Sequence, residues 1–448
     1  TNAGLVTLNF TSCATGGLGA AQLRLLGLPA SLAVGQCATV GVRFAPSGFT
    51  NYEASIELAH DAGNIASPFV INLRGWGRPT ATAEIFHVAK DNPGALWPYT
   101  NWATAAADIQ SAIEATLDGD TVLVSNGVYD TGGRVVNGSE TNRVAISKAV
   151  SVQSVNGPEE AVIRGAWDPV TTNGAAAVRC VYLVDGARLT GFTLTNGATR
   201  ASYGSGGGAK CESTNAVISN CVFTGNSASY YGGGAYNGSL WSCRLYGNFS
   251  QSYGGGAAYG SQYNCLFESN SAYYGGGCYY GNSYNCTIVG NTATNGGGTY
   301  EGTLYNSIVY YNTASSSSNY SYGSFYYSDS VPTPSGTGNT AADPKFVDRA
   351  AGNYRLLSNS PCINTGMNLP WMAGALDLDG RRRISRSYQR VDMGAYEFAF
   401  PAAGEMFVYG TNGAAISNRA PASEAAGTDF GIIAPGQTVT NIIVVTNA

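Results

Sequence analysis

Between about residues 190 and 315, apolar and polar positions alternate in very short runs that recur at a nearly fixed interval. Asn220-Cys221-Val222-Phe223-Thr224-Gly225-Asn226 sets the template, repeated at Cys243 to Asn248, Cys265 to Asn270 and Cys286 to Asn291. A fifth copy carries Ser307 in place of cysteine and ends at Asn312. The asparagines Asn226, Asn248, Asn270, Asn291 and Asn312 are 22, 22, 21 and 21 residues apart. Glycine triplets begin at Gly206, Gly232, Gly254, Gly275 and Gly296. Cys243 and Leu245 alternate with Arg244, so they lie on one face of a strand and the arginine on the other. A unit this short cannot bury its own apolar face. Stacking units at about 4.8 Å closes a continuous core and pairs each backbone with the next. The pattern predicts a parallel β-helix, with glycine at its corners and the asparagine column as a ladder of hydrogen-bonded amides.

Upstream, Trp102 to Ile113 predicts a helix, with Ile109, Ile113 and Leu117 recurring at i, i+4 and i+8 on one apolar face. Placed at the head of a solenoid, it would cover an open β edge. Strand-like runs follow at Thr121 to Val124 and Val150 to Val155, each ending in an Asn-Gly turn signal. The expected organisation is all-β. Residues 1–79 form an incomplete immunoglobulin-like sandwich, 80–135 an N-terminal cap and 136–340 the parallel rungs. Residues 341–400 form a C-terminal cap, and 401–448 the first strands of a further sandwich.

Composition narrows the class. Of 448 residues, 60 are Gly and 29 are Tyr, while charged residues are only 11%, less than half the usual share. Net charge is −5 with no basic block, so there is no electrostatic footprint for nucleic acid. No apolar run reaches the roughly 18 residues of a membrane span. Two His, His60 and His87, make a thin catalytic inventory. Ten Cys with no Cys-x-x-Cys pair leave no zinc spacing. The chain opens without Met or a leader, which reads as a processed or excised product.

The column Cys221, Cys243, Cys265 and Cys286 reads as small buried apolar residues rather than a metal or redox site, because the next rung replaces it with Ser307. Tyr236, Tyr259, Tyr279 and Tyr300 follow the glycine triplets, with a one-residue insertion before Tyr259. Trp241, Tyr263, Tyr284 and Tyr305 precede the cysteines or Ser307. Such columns serve either as packing or as a sugar-binding strip.

Phe86 to Phe398 resembles a right-handed β-helix family of bacterial surface proteins, of the choice-of-anchor Q type. The resemblance rests on "WATAAADIQSAIEATLDGDTVLVSNGVYDTGG", "SVNGPEEAVIRG", "DPKFVDRAAGNYRLLSNSPCINTG" and "DLDGRRRISRSYQRVDMGAYEF". Its Gly-Gly-Gly-x-Tyr and Phe-x-x-Asn elements are similar to repeats of polymorphic outer-membrane autotransporter passengers. Leu32 to Gly77 resembles the later strands of ASPM/SPD-2/Hydin and choice-of-anchor D modules. The first strands of such a module are found at the other end, as Asp429-Phe430-Gly431 and Thr438 to Asn447. Overlaying the terminal Thr-Asn-Ala on the opening one restores an unbroken module pattern.

These resemblances imply surface display. The expected function is a non-catalytic structural repeat of an extracellular filament or giant surface protein, with no cofactor or metal. Identical subunits would join head to tail by completing the split sandwich, either covalently or by strand addition. The joint would use Asp429, Phe430, Gly431, Thr440, Ile442, Val444 and Val445 from one unit and Leu5, Leu8 and Phe10 from the next. Surface glycans are a further expected partner. Two alternatives stand beside this, a plain adhesin and a secreted glycan-binding or polysaccharide-lyase-like β-helix. For a lyase, the candidate cluster is Asp377, Asp379, Arg381, Arg382, Arg383, Arg386, Arg390 and Asp392, whose simpler role is ion pairing in the C-terminal cap.

Overall fold

The computed structural model describes residues 2–47, 50–77, 83–136, 138–200, 203–384, 389–399, 406–409 and 444–447. Its body is a coil of parallel strands stacked into long sheets, a parallel β-helix. Sheet 1 has nine strands, from Arg134–Val135 to Tyr320–Ser321, parallel after the first pair. Sheet 2 has ten parallel strands, from Ile85–Val88 to Ser324–Tyr326. Sheet 3 has nine, from Gly127–Tyr129 to Asp329–Ser330, and a shorter sheet 4 runs from Ser227–Ala228 to Thr313–Ser316. One rung visits each in turn, for example Ala235–Tyr236, Ser239–Trp241, Arg244–Tyr246 and Phe249–Ser250.

Alternation decides which side chains enter the coil. Phe223, Leu245, Phe267, Ile288 and Val309 stack inside sheet 3, all fully buried. Each such side chain contributes about 2 kcal/mol of burial. Two inward positions of sheet 2 are polar, and they pair: Ser283 Oγ donates to Gln262 Oε1 at 3.1 Å. Asn226, Asn248, Asn270 and Asn291 each donate from Nδ2 to the Oδ1 of the next asparagine at 2.9 Å. Asn312 continues the row to Asn319.

The glycine triplets turn the chain from sheet 4 back to sheet 1. Gly232 sits at φ +63°, and a Cβ on Gly234 would lie 2.5 Å from the carbonyl of Gly256 in the next rung. Rungs that close leave no room for a side chain.

The helix, α1, is shorter than the sequence suggested. It spans Ile109–Ala115, with Asp108 as N-cap accepting from the Ser111 amide at 2.8 Å. Trp102 to Asp108 is not helical, since Ala106 exchanges backbone bonds with His87 and Ala89 beside the first strand of sheet 2. Ile109 and Ile113 are buried as expected, but Leu117 lies past the helix end and is 44% exposed.

After the last rung, Phe346–Asp348 and Asn353–Leu356 form an antiparallel pair. The following chain lies along the outer side of the coil. Leu266, Val289 and Ile308, facing outward on sheet 3, are buried under Phe346, Tyr354, Leu356, Met393 and Tyr396.

The N-terminal region is a small antiparallel assembly, with strand order Ser31–Leu32, Leu8–Gly16, Asn51–His60 and Phe69–Trp76. Leu23–Leu26 pairs separately with Gly41–Phe44. Among its described residues the buried apolar side chains are Leu32, Ala54 and Ile56. Met406–Tyr409 and Val444–Asn447 pair with each other antiparallel.

Candidate functional site

The outer face of sheet 1 carries the densest group of aromatics. In register, its outward column reads Ala145, Tyr182, Lys210, Tyr236, Ala258, Tyr279, Tyr300 and Ser321. A second column runs beside it through Tyr231, Tyr253 and Tyr274, whose rings stack at 5.1 and 5.3 Å. A third occupies the corner between sheets 1 and 2, at Asn237, Tyr259, Tyr280, Glu301 and Tyr322. All five sit in the left-handed region, with φ between +52° and +60°. Bulky residues at such φ are uncommon and cost about 1 kcal/mol each.

Tyr236, Tyr259, Tyr279 and Tyr300 were expected in one column. The extra residue before Tyr259 instead moves that ring to the corner and leaves Ala258 in the strand. Neighbouring rings close over the gap. Tyr253 and Tyr279 approach to 4.6 Å, Tyr231 and Tyr259 to 5.3 Å, and Ala258 is fully buried beneath them. Loss of solvent pushes the Tyr231 and Tyr279 hydroxyls up to about 12. They remain neutral donors and acceptors through the physiological range.

Charge gathers at the N-terminal end of this face. Lys210 is half-buried between Tyr182 and Tyr236, and burial, followed by the nearby Arg179, lowers its pKa. Arg179 is fully buried, donating to Asn142 Oδ1 at 2.6 Å and to the carbonyls of Gly206 and Ser205. Tyr182 Oη donates to the Glu212 carboxylate. Sequence reasoning overlooked this group, because Lys210 and Glu212 lie outside the best-aligned repeats.

The column before the cysteines and Ser307 behaves differently. Trp241, Tyr263, Tyr284, Tyr305 and Tyr326 stack within 14° of parallel, 3.9 to 5.3 Å apart. Trp371 from the C-terminal segment packs edge-on against Trp241 and Tyr263.

Cys221, Cys243, Cys265 and Cys286 are buried as free thiols, and burial pushes those of Cys221 and Cys265 up. Raising those two thiols disfavours the thiolate that redox or metal chemistry would use there. Asp379 is occupied by Arg355 at 2.5 and 2.6 Å and by Arg381 at 3.1 Å. Buried Arg383 pairs with Glu397 at 3.1 Å, and Asp377 and Asp392 accept backbone amides. Arg382 contributes a backbone bridge to Leu376, and Arg390 Nε donates to the Gly366 carbonyl. Arg386 lies outside the described residues. Among the described residues, no group of three His, Cys, Asp or Glu side chains is placed to hold a metal ion.

Of the expected joint, Asp429, Phe430, Gly431, Thr440 and Ile442 lie outside the described residues. Val444 and Val445 belong to the strand paired with Met406–Tyr409. Leu8 and Phe10 lie in the Leu8–Gly16 strand, opposite Leu32 and His60, and Leu5 is 94% exposed.

No protein-family model matches the chain, and no curated protein does. Among solved structures, the pectate lyase Pel9A is similar at a TM-score of 0.38 and 14% identity, over 71% of this chain and 97% of that one. A rice weevil pectin methyl esterase follows at 0.26 and 11%, over 57% and 79%. A Yersinia enterocolitica family 28 exopolygalacturonase gives 0.17 and 12%, over 68% and 75%. These likenesses correct the functional expectation. These three are named as a lyase, an esterase and an exopolygalacturonase, not as filament subunits or adhesins, and neither the structural-repeat reading nor the exclusion of catalysis is retained.

Proposed function

We propose that this is an extracellular carbohydrate-binding β-helix protein that holds an extended polysaccharide along the tyrosine face of sheet 1. The carrying observation is the three in-register columns, which present Tyr231, Tyr253, Tyr274, Tyr279, Tyr280, Tyr300 and Tyr322 side by side across successive rungs. Aromatic rings offer flat apolar area to the C–H faces of sugars, and their hydroxyls exchange hydrogen bonds with sugar hydroxyls. Strand stacking repeats that offer at about 4.8 Å per rung, which suits a linear polymer. Affinity electrophoresis in gels containing dissolved polysaccharide tests the reading. Retardation of the wild type, reduced in a Tyr279→Ala/Tyr300→Ala variant, is the expected result. Unretarded migration in every polymer would remove it.

Lys210 favours a second reading, in which the bound chain is also cleaved. A lysine of lowered pKa beside the Tyr182–Glu212 pair, at the end of a binding face, is suited to proton transfer. New reducing ends, released by the wild type and not by Lys210→Ala, would support it. No release from any bound polymer would remove it.

A further inference from the structure

We propose that the groove along the corner between sheets 1 and 2 is a subsite for uncharged sugar residues, and that Glu301 excludes acidic ones. This rests on the carbohydrate reading above and specifies its ligand.

The groove encloses about 700 Å³, lined chiefly by Asn237, Tyr259, Tyr280, Asn282, Glu301 and Tyr322. Consecutive rungs supply the corner residues, and each projects from the left-handed conformation described above. Tyr280 and Tyr322 are 53% and 69% exposed on either side of Glu301. Their rings lean on the open face, Tyr280 against Tyr259 and Tyr322 against Tyr300, both at 5.6 Å. The groove is thus continuous with the tyrosine columns.

Its charge is lopsided. Glu301 is the sole ionisable carboxylate among the lining residues, and no Lys or Arg lines the groove. Among the described residues, the Glu301 carboxylate has no ion pair or side-chain hydrogen bond assigned to it, whereas Glu212, Glu268 and Glu397 are each engaged by a neighbour. An open carboxylate accepts hydrogen bonds from sugar hydroxyls, and charge strengthens those bonds. A polyuronate brings a carboxylate on each residue. Here it would meet a like charge at short range with no cation in the groove to offset it.

The test uses the full chain and two polymers in affinity gels: neutral galactomannan and polygalacturonate. The wild type is expected to bind galactomannan at least tenfold more tightly than polygalacturonate. Glu301→Gln should narrow the preference over polygalacturonate, and Glu301→Arg should reverse it, with melting temperatures unchanged. Tighter wild-type binding to polygalacturonate would overturn the proposal. So would a Glu301→Arg variant that still prefers galactomannan over polygalacturonate by the wild-type margin. Binding to none of a wide polymer panel would instead sink the carbohydrate reading, and this inference with it. Binding to polygalacturonate alone would leave that reading standing and sink only this one.

Discussion

Two corners of the coil share a backbone conformation and differ in what lies over them. At the corner between sheets 2 and 3, Asn264, Asn285 and Asn306 sit at φ near +50°. Their amides clasp the protein's own C-terminal segment, through the carbonyls of Leu376, Asp392 and Met367 at 2.7 to 3.0 Å. At the corner between sheets 1 and 2, equally strained positions carry Tyr259, Tyr280, Glu301 and Tyr322, and they line an open groove. The adjoining aromatic columns follow suit. The Trp241 stack is packed by Trp371, while the Tyr279 and Tyr300 rings face outward. An aromatic column is therefore not a functional sign in itself. Among the described residues, the C-terminal segment packs a ring on the Trp241 column and none on that of Tyr279 and Tyr300.

The comparison can be broken at several points. The largest effect is expected at the asparagine ladder between sheets 3 and 4, which runs through the same rungs as both corners. Asn270→Ala strands buried partners on both sides and should cost at least about 3 kcal/mol, read as a fall in denaturation midpoint. On the covered side, the next effect is a pH dependence. Asp329 is fully buried, with Oδ1 unpartnered and Oδ2 accepting from Cys362 Sγ at 3.3 Å. Burial raises its pKa to about 7. The folded state thus holds the proton more tightly than the unfolded chain. The associated stability is complete below about pH 4 and is lost as pH rises through 7. Thermal melts of the wild type should decline over that window, and Asp329→Asn should flatten the decline. An unchanged slope would refute the assignment.

Trp371→Ala should cost about 2 kcal/mol by unpacking the covered stack, while leaving polysaccharide affinity within twofold. On the open side the pattern inverts. Tyr279→Ala/Tyr300→Ala should lower affinity about tenfold, near 1.4 kcal/mol, and shift the melting temperature less than Trp371→Ala does. Equal effects of the two changes on both readouts would erase the distinction between the corners.

The rung was legible because its constraints are local. An amide that must meet an identical amide one turn away, and a glycine on which a Cβ would lie under 3 Å from the next backbone, admit few substitutes and so repeat visibly. The helix start was misplaced because Ala103 to Ala107 reads as helical by propensity, although Ala105 and Ala106 are buried in extended chain beside sheet 2. The open face was harder still. One inserted residue moves Tyr259 from strand to corner, and only register separates it from Tyr279. Period alone also gives no sign of which column the C-terminal segment will cover. That depends on contacts such as Asn285 to Asp392, more than a hundred residues apart.

In every step of the asparagine row, the earlier residue donates and the later one accepts. The row therefore has a polarity, and any splice must rejoin a donor to an acceptor. Removing the segment from 249 to 270 would bring Asn248 to the amide of Asn291 with every strand still facing the same way. Removing one residue fewer would leave an extra residue to be absorbed at a corner, as the one before Tyr259 is. Length in this molecule is counted in whole turns, and so is the number of side chains in each column of its outer face.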